Sequence, residues 1–391
     1  MLLGKRIRLY PTEYQEQIFF QFGGTSRFAY NYALDYKLDT YDKDKSNPNQ
    51  KTIRNALANL KHNEIDYKWL QLVPEAITKQ AISDLDSAYT DWLKSISGKS
   101  KKKVGKPKFK KKGKCTVSFY QRTDNIHMID DTHVKITGIK DGVRVKEPIP
   151  KGVKNTRVKY DGKYWYLTYC VETNLPTTLN TDETIGVDLG IKETAIISDG
   201  TIYENINKSK VVNHLEKRKR HLQRQLSRKY EANKQGNKFV KTNNIKKLEQ
   251  QIRLIDRTLS NIRHNYIHNI TKELVKTTPK TIVIEDLNVS GMMKNKHLSK
   301  AVQQQLFYEF RRQLEYKCKI YGIELIIADR FYPSSKLCSC CGNKKIDLKL
   351  KDRIYKCNSC GLVINRDLNA SINLSFYPQF LERNKTKNKI A

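Results

Sequence analysis

The sequence predicts an α+β protein of more than one domain. An antiparallel β module interrupted by a helical insertion comes first, and an α/β domain with a small cysteine-rich ribbon set into it follows. Three observations carry this prediction. β-rich segments at 5–10 and 115–172 bracket a stretch with helical periodicity. Apolar runs of strand length recur through the second half, separated by long basic helical stretches. Two Cys-x-x-Cys pairs, Cys338 with Cys341 and Cys357 with Cys360, have the spacing of a metal ribbon.

Arg6, Ile7, Arg8, Leu9 and Tyr10 alternate as a half-buried strand does. Pro11-Thr12 then opens a helix, with Gln15 placed three residues after Thr12 to close a capping box. Apolar residues from Ile18 to Leu34 predict two helical stretches around Gly23-Gly24, followed by a polar linker over 42–50. A further helix spans roughly 75–96 by its apolar spacing, leaving Lys79, Gln80 and Ser83 beside the buried face. From Lys99 to Lys114 ten of sixteen residues are lysine, and the glycines and Pro107 oppose a regular helix, so a basic loop is expected. The alternating stretch 115–172 fits a small antiparallel barrel or sandwich, with a hairpin turn at Asp161-Gly162. The N-terminal strand can complete that module.

After a polar linker, strands are expected near 185–189, 193–198 and 201–204, then helices, then strands near 281–285 and 323–328. This order is that of an RNase H-like domain. A basic helix over 211–230 and a second from Ile245 interrupt it. In the second, Ile245, Leu248, Ile252, Ile255, Leu259, Ile262 and Tyr266 step by three and four, the seam of an antiparallel helical hairpin.

Asp188, Glu285 and Asp367 close strands or open a helix. Carboxylates gathered from remote positions repel one another unless a cation lies between them, and Mg²⁺ takes oxygen ligands at about 2.1 Å. A pair of such ions can activate water and stabilise the departing oxygen of a phosphodiester, so the set points to a nuclease. Arg366 could contact the scissile phosphate or pair with Asp367, and Asp286 reads as a capping or surface group. The four ribbon cysteines form a closed thiolate set, so the Zn²⁺ they fit is structural; Cys340 is not a preferred ligand.

Lys+Arg 74 against Asp+Glu 40 gives a net charge of +34, a field that calls for polyanions. The candidate contacts are Lys101, Lys102 and Lys103 in the lysine run and Arg218 and Arg220 in the basic helix. No apolar stretch reaches membrane-span length and no secretory leader is evident, so no membrane partner and a cytoplasmic location are expected.

At these residues the chain resembles the transposon-encoded TnpB family, RNA-guided endonucleases related to the type V CRISPR effectors. The resemblance rests on Arg8–Thr12, Arg27–Leu34, Gly105–Phe109, the Gly186–Gly190 and Ile284–Leu287 motifs, Tyr332–Lys336, and Asn365–Ala370. It implies a wedge-type β-barrel module (1–10 and 99–180) with a helical recognition insertion (11–98). A RuvC-like nuclease domain (181–375) then follows, containing the helical hairpin (211–275) and the zinc ribbon (333–364), and 376–391 form a tail. It further implies that Asp188, Glu285 and Asp367 are the catalytic triad. The implied partners are a guide RNA from the transposon end and double-stranded target DNA cut beside a short motif, which Lys79 and Gln80 would read. A monomer is expected. Two alternatives remain open: an RNA-guided repressor that binds without cutting, and a transposase.

Overall fold

The computed structural model describes residues 1–100, 103–174, 179–349 and 351–390, with side chains of the last helix described to Arg383. Lys101 and Lys102 therefore lie outside the described residues. The chain divides into two compact units, Met1–Thr173 and Asn174–Ala391.

The first unit is built on a seven-stranded antiparallel sheet. Its strands are β1 (Leu2–Tyr10), β2 (Ser118–Tyr120), β3 (Met128–Asp130), β4 (His133–Val134), β5 (Val143–Val145), β6 (Lys154–Tyr160) and β7 (Trp165–Glu172), in the order β2-β6-β7-β1-β5-β4-β3. The N-terminal strand thus sits at the centre, paired with β7 over eight positions and with β5 at its end. The β6–β7 turn centres on Gly162-Lys163, one residue later than expected. Asp161 N–H donates to the Tyr164 carbonyl at 3.0 Å, and Gly162 takes the positive φ of 97° that the turn requires.

Helices α1 (Glu13–Asp44), α2 (Gln50–Asn63) and α3 (Glu75–Ile96) come between β1 and β2. Thr12 and Gln15 form the expected reciprocal cap at 3.3 and 3.1 Å. The expected break at Gly23-Gly24 does not occur, and α1 runs through both glycines. Gly23 is needed for closeness: a Cβ there would collide with Val117 Cγ1, so its absence lets the helix lie against the chain entering β2. Phe19 of α1 packs edge-on to Trp165 at 5.1 Å, and the Trp165 indole N–H donates to Glu16 at 2.8 Å. From Lys103 onward the lysine run is irregular but tied to the helices. Asn31 exchanges two hydrogen bonds with the Lys110 backbone, and Lys110 Nζ lies 3.6 Å from the Tyr30 ring centre.

The second unit is a five-stranded sheet of β8 (Thr184–Leu189), β9 (Glu193–Ile197), β10 (Ile202–Glu204), then β13 (Thr281–Glu285) and β14 (Glu324–Ala328), ordered β10-β9-β8-β13-β14. The first three pair antiparallel, whereas β13 runs parallel to both β8 and β14. Between β10 and β13 lie α4 (Lys210–Ala232), a ribbon of β11 (Lys234–Gln235) and β12 (Lys238–Phe239), and α5 (Asn243–Lys276). The seam from Leu248 to Ile262 packs on Val212, Leu215, Leu222 and Leu226 of α4. Cross-links Arg263–Glu216 at 3.0 Å and Tyr230–Glu249 at 2.7 Å make the pair antiparallel. Helices α6 (Val289–Met292), α7 (Ser299–Gln305) and α8 (Phe307–Tyr321) lead to β14. The short antiparallel pair β15 (Ile354–Lys356) and β16 (Val363–Asn365) then precedes α9 (Arg366–Ser375) and α10 (Tyr377–Ile390).

One face of this sheet is filled by Val187, Leu189, Ile282 and Ile284 with residues of α5 and α8. Side chains alternate along a strand, so Gly186, Asp188, Val283 and Glu285 belong to the other face. There α9 crosses so closely that a Cβ on Gly186 would collide with the Ser371 carbonyl oxygen and come within 2.5 Å of the Ser375 nitrogen.

Candidate active site and metal centre

The parallel register of β8 and β13 aligns Val187 with Ile284, so Asp188 and Glu285 follow side by side at the carboxyl ends of neighbouring strands. Crevices outside such strand ends are where open α/β sheets bind ligands. Asp367 arrives on the first turn of α9, whose N-cap, Asn365, accepts from the Asp367 and Leu368 backbone N–H groups at 2.9 and 3.2 Å. The glycine at 186 admits α9 to the face that carries the other two carboxylates, and so sets the distance at which all three converge.

The electrostatics bear this out. The Asp188 carboxyl is held well above the ordinary carboxylate range, first by desolvation and then by the negative charges of Glu285 and Asp367, with Arg366 opposing. The carboxylates do not close as tightly as a ligand set can. Among the described residues, the cysteine set is the one group of three or more candidate ligands that meets within 4.8 Å.

Residues outside the acidic set bond one acid and fasten the helix that carries another. Buried Ser334 donates its hydroxyl to Glu285 Oε1 at 2.5 Å. Buried Asn373 donates to the Ser334 and Leu337 carbonyls at 2.7 and 2.8 Å, and buried Asn369 donates to the Leu337 carbonyl at 2.6 Å and accepts from Ser339 N–H at 3.0 Å. Helix α9 is thereby fastened to the chain entering the cysteine ribbon. Ser334 and Asn369 lie inside motif blocks already singled out; no periodicity marks a serine as the partner of a glutamate 49 residues away. Arg366 Nη1 turns to the Lys349 and Asp352 carbonyls at 3.4 and 3.5 Å, and Arg353 Nη1 stands 3.9 Å from Asp367 Oδ2.

The four cysteines Cys338, Cys341, Cys357 and Cys360 gather their sulfurs as one closed set, Cys338–Cys360 at 3.5 Å and Cys341–Cys357 at 3.6 Å. Gly342 and Gly361 adopt the positive φ of 74° and 75° with which each knuckle turns. Backbone N–H groups of Cys360 and Ser359 point at Cys357 Sγ and hold that thiol down to about 6, favouring the thiolate that a metal needs. The donor set fits a zinc ion.

The proposed nucleic-acid contacts are scattered. Lys79 is exposed and paired with Glu75 at 2.9 Å. Gln80 donates to Asp84 at 3.0 Å, and Asp84 also receives a two-pronged grip from Arg157 at 2.7 and 2.8 Å. Burial pushes the Asp84 carboxyl up, but the bonds from Arg157 and Gln80 outweigh it and hold the group below its ordinary range. Lys103, Arg218 and Arg220 are exposed.

Comparison with known proteins agrees with this architecture. Family models match in three places: a "Helix-turn-helix domain" at 1–46, a "Probable transposase" of the OrfB type at 167–296, and a "Cas12f1-like, TNB domain" at 307–374. Residues 1–46 here form β1 and the whole of one continuous helix instead of two helices joined by a turn. A protein of Streptomyces pristinaespiralis named as an RNA-guided DNA endonuclease is 28% identical over 94% of this chain and 87% of its own length. InsQ of Escherichia coli K12, also named as an RNA-guided DNA endonuclease, is 28% identical over 94% and 90%. In fold, the chain resembles Cas12f1 as solved with guide RNA and target DNA, with a TM-score of 0.59 over 93% of this chain and 83% of that one at 17% identity. Three family models and relatives covering nearly the whole length agree, and the chain is similar to RNA-guided DNA endonucleases of the TnpB type.

Proposed function

We propose that this chain is an RNA-guided DNA endonuclease of a transposable element, hydrolysing target DNA beside a short transposon-associated motif. The observation that carries the reading is the convergence of Asp188, Glu285 and Asp367 on one face of the sheet, close enough that two of them raise the proton affinity of the third. An all-oxygen donor set of this charge suits Mg²⁺, which when bound supplies an activated water and a counter-charge for the leaving oxygen. The protein's own part is to hold the acids: Asp188 and Glu285 from rigid strand ends, Asp367 from a capped helix, with Ser334 fixing one oxygen of Glu285. On this reading the second unit is a RuvC-like domain. Its strand order, three antiparallel strands followed by two parallel ones, supports that, and the cysteine ribbon holds structural zinc. The first unit is then a wedge-type module with α1 to α3 as its recognition insertion. A guide RNA and a double-stranded DNA target supply the polyanions that a net charge of +34 calls for, and Lys101, Lys102, Lys103, Arg218 and Arg220 contribute to that field.

Sequencing the RNA that copurifies with the full-length protein tests the reading. The expected result is one structured RNA, with one end fixed and the other complementary to DNA that the complex then cuts. Binding to element ends without any RNA would show a transposase instead. Guided binding with no cleavage would show a repressor.

A further inference from the structure

Next to Glu285, a cleft of about 250 Å³ opens at the carboxyl end of β13 and is floored by Leu189 and Ile284. Tyr308, Arg311 and Arg330 line it, and Tyr308 stands at its lip with 74% of its surface exposed. Asp286, the residue after Glu285, grips both arginines: Arg311 Nη1 at 3.2 Å on one carboxylate oxygen and Arg330 Nη2 at 2.6 Å on the other. Arg330 Nε adds a 3.4 Å bond to the Asp286 carbonyl, and Arg311 Nε pairs with Glu315 at 3.0 Å. The two guanidinium groups are therefore fixed in place by the same strand end that carries Glu285. Each keeps N–H donors toward the solvent, their side chains being 40% and 48% exposed.

We propose that this cleft is the seat of the DNA strand being cut: Arg311 and Arg330 hold a backbone phosphate next to the scissile one, and a base stacks on Tyr308. The inference rests on the nuclease reading for the strand's fate but not for its binding. Arginine held by a carboxylate presents a preset fork to phosphate, and an exposed aromatic ring beside cations is the platform on which single strands stack without regard to sequence. Asp286 is a positioning residue, holding the arginines in register with Glu285.

The test uses the full-length protein with its copurified RNA and a short single-stranded oligodeoxynucleotide carrying iododeoxyuridine, which crosslinks on irradiation to the aromatic ring it stacks on. Mass spectrometry should place the crosslink on Tyr308. Yield should persist in Tyr308→Phe and fall roughly tenfold in R311A/R330A, the loss expected of a stacked base deprived of its phosphate anchor. Crosslinks elsewhere with none at Tyr308 would overturn the proposal. So would full cleavage of a matched target by R311A/R330A beside an active wild type, a result that leaves the nuclease reading intact. Crosslinking at Tyr308 in a wild type that never cuts would sink the nuclease reading and uphold the strand site.

Discussion

Asp188 shows what the carboxylate cluster costs the fold. Its carboxyl is held well above the ordinary range by desolvation, then by Glu285 and Asp367, so near neutral pH the ionised form weakens the folded state. The sign follows from linkage: with the folded value raised above the unfolded one, the penalty is full above the folded value and fades as pH falls toward the unfolded value near 3.9. Asp188→Asn should therefore raise the thermal midpoint at neutral pH in chelator, while the midpoint gained on adding Mg²⁺ should shrink relative to wild type. Differential scanning calorimetry in both conditions checks this. An unchanged midpoint in chelator would mean that the charge on Asp188 costs nothing. On the proposed reading the three acids stand out in the sequence because each adjoins an apolar strand or a capped helix start. The groups that orient them were not: Ser334, Asn369 and Asn373 act through bonds to residues far away in sequence, and a hydroxyl or amide has no periodicity to betray it.

Among the elements, the ribbon depends most on something other than its own packing. Four cysteines gather around a small core of Cys338, Tyr355 and Cys357, and on the zinc reading a metal supplies the stability that so little apolar surface does not. Cys357→Ser should lower zinc content to near zero and loosen the chain around 333–364, and cleavage should fall with it because Asn369 and Asn373 tie α9 to that chain. Zinc analysis and limited proteolysis read the first two effects. Full zinc with full activity would contradict the assignment. A second prediction concerns Lys317 of α8, buried against α5, where its ammonium donates to Thr271 Oγ1 at 2.6 Å and to the His268 carbonyl at 2.8 Å. Desolvation, with a smaller push from Lys272, lowers its value to about 8. Between about 8 and its unfolded value near 10.4 the unfolded chain binds the extra proton, so this lysine makes stability rise with pH in that window. Relative to wild type, Lys317→Met should flatten that rise in urea titrations across the window; parallel curves would contradict it. The helical seam, the capping box and the strand order were readable because period and cap chemistry are local. The unbroken α1 was not, since Gly23 serves Val117, a neighbour that only tertiary structure reveals.

At the scale of the whole molecule, the proposed reading has charge decide what the protein meets and the carboxylate cluster decide what it does. No helix among the described residues is long and apolar enough to cross a membrane, and the field of +34 finds its natural counterpart in nucleic acid. Neutralising the exposed Lys103, Lys108 and Lys112 should weaken nucleic-acid binding and reduce the slope of log affinity against log salt by roughly one unit for each phosphate no longer neutralised, without changing specificity. An unchanged slope would assign the run to solvent. Composition made the class of partner plain, but the surface that reads each strand was out of reach. Cations such as Arg311 and Arg330 become a site only once folding sets them on one carboxylate. Whether the carboxylate cluster is a nuclease centre is decided by comparing wild type with Asp188→Ala, both carrying guide RNA, in binding and cleavage of a matched DNA target in Mg²⁺. Binding should be equal, because recognition rests on base pairing and on basic surfaces away from this side chain. The cleavage rate should be lower by roughly a thousandfold or more, the equivalent of about 4 kcal/mol of transition-state stabilisation. Cutting by Asp188→Ala at near the wild-type rate would contradict the assignment of these acids to catalysis.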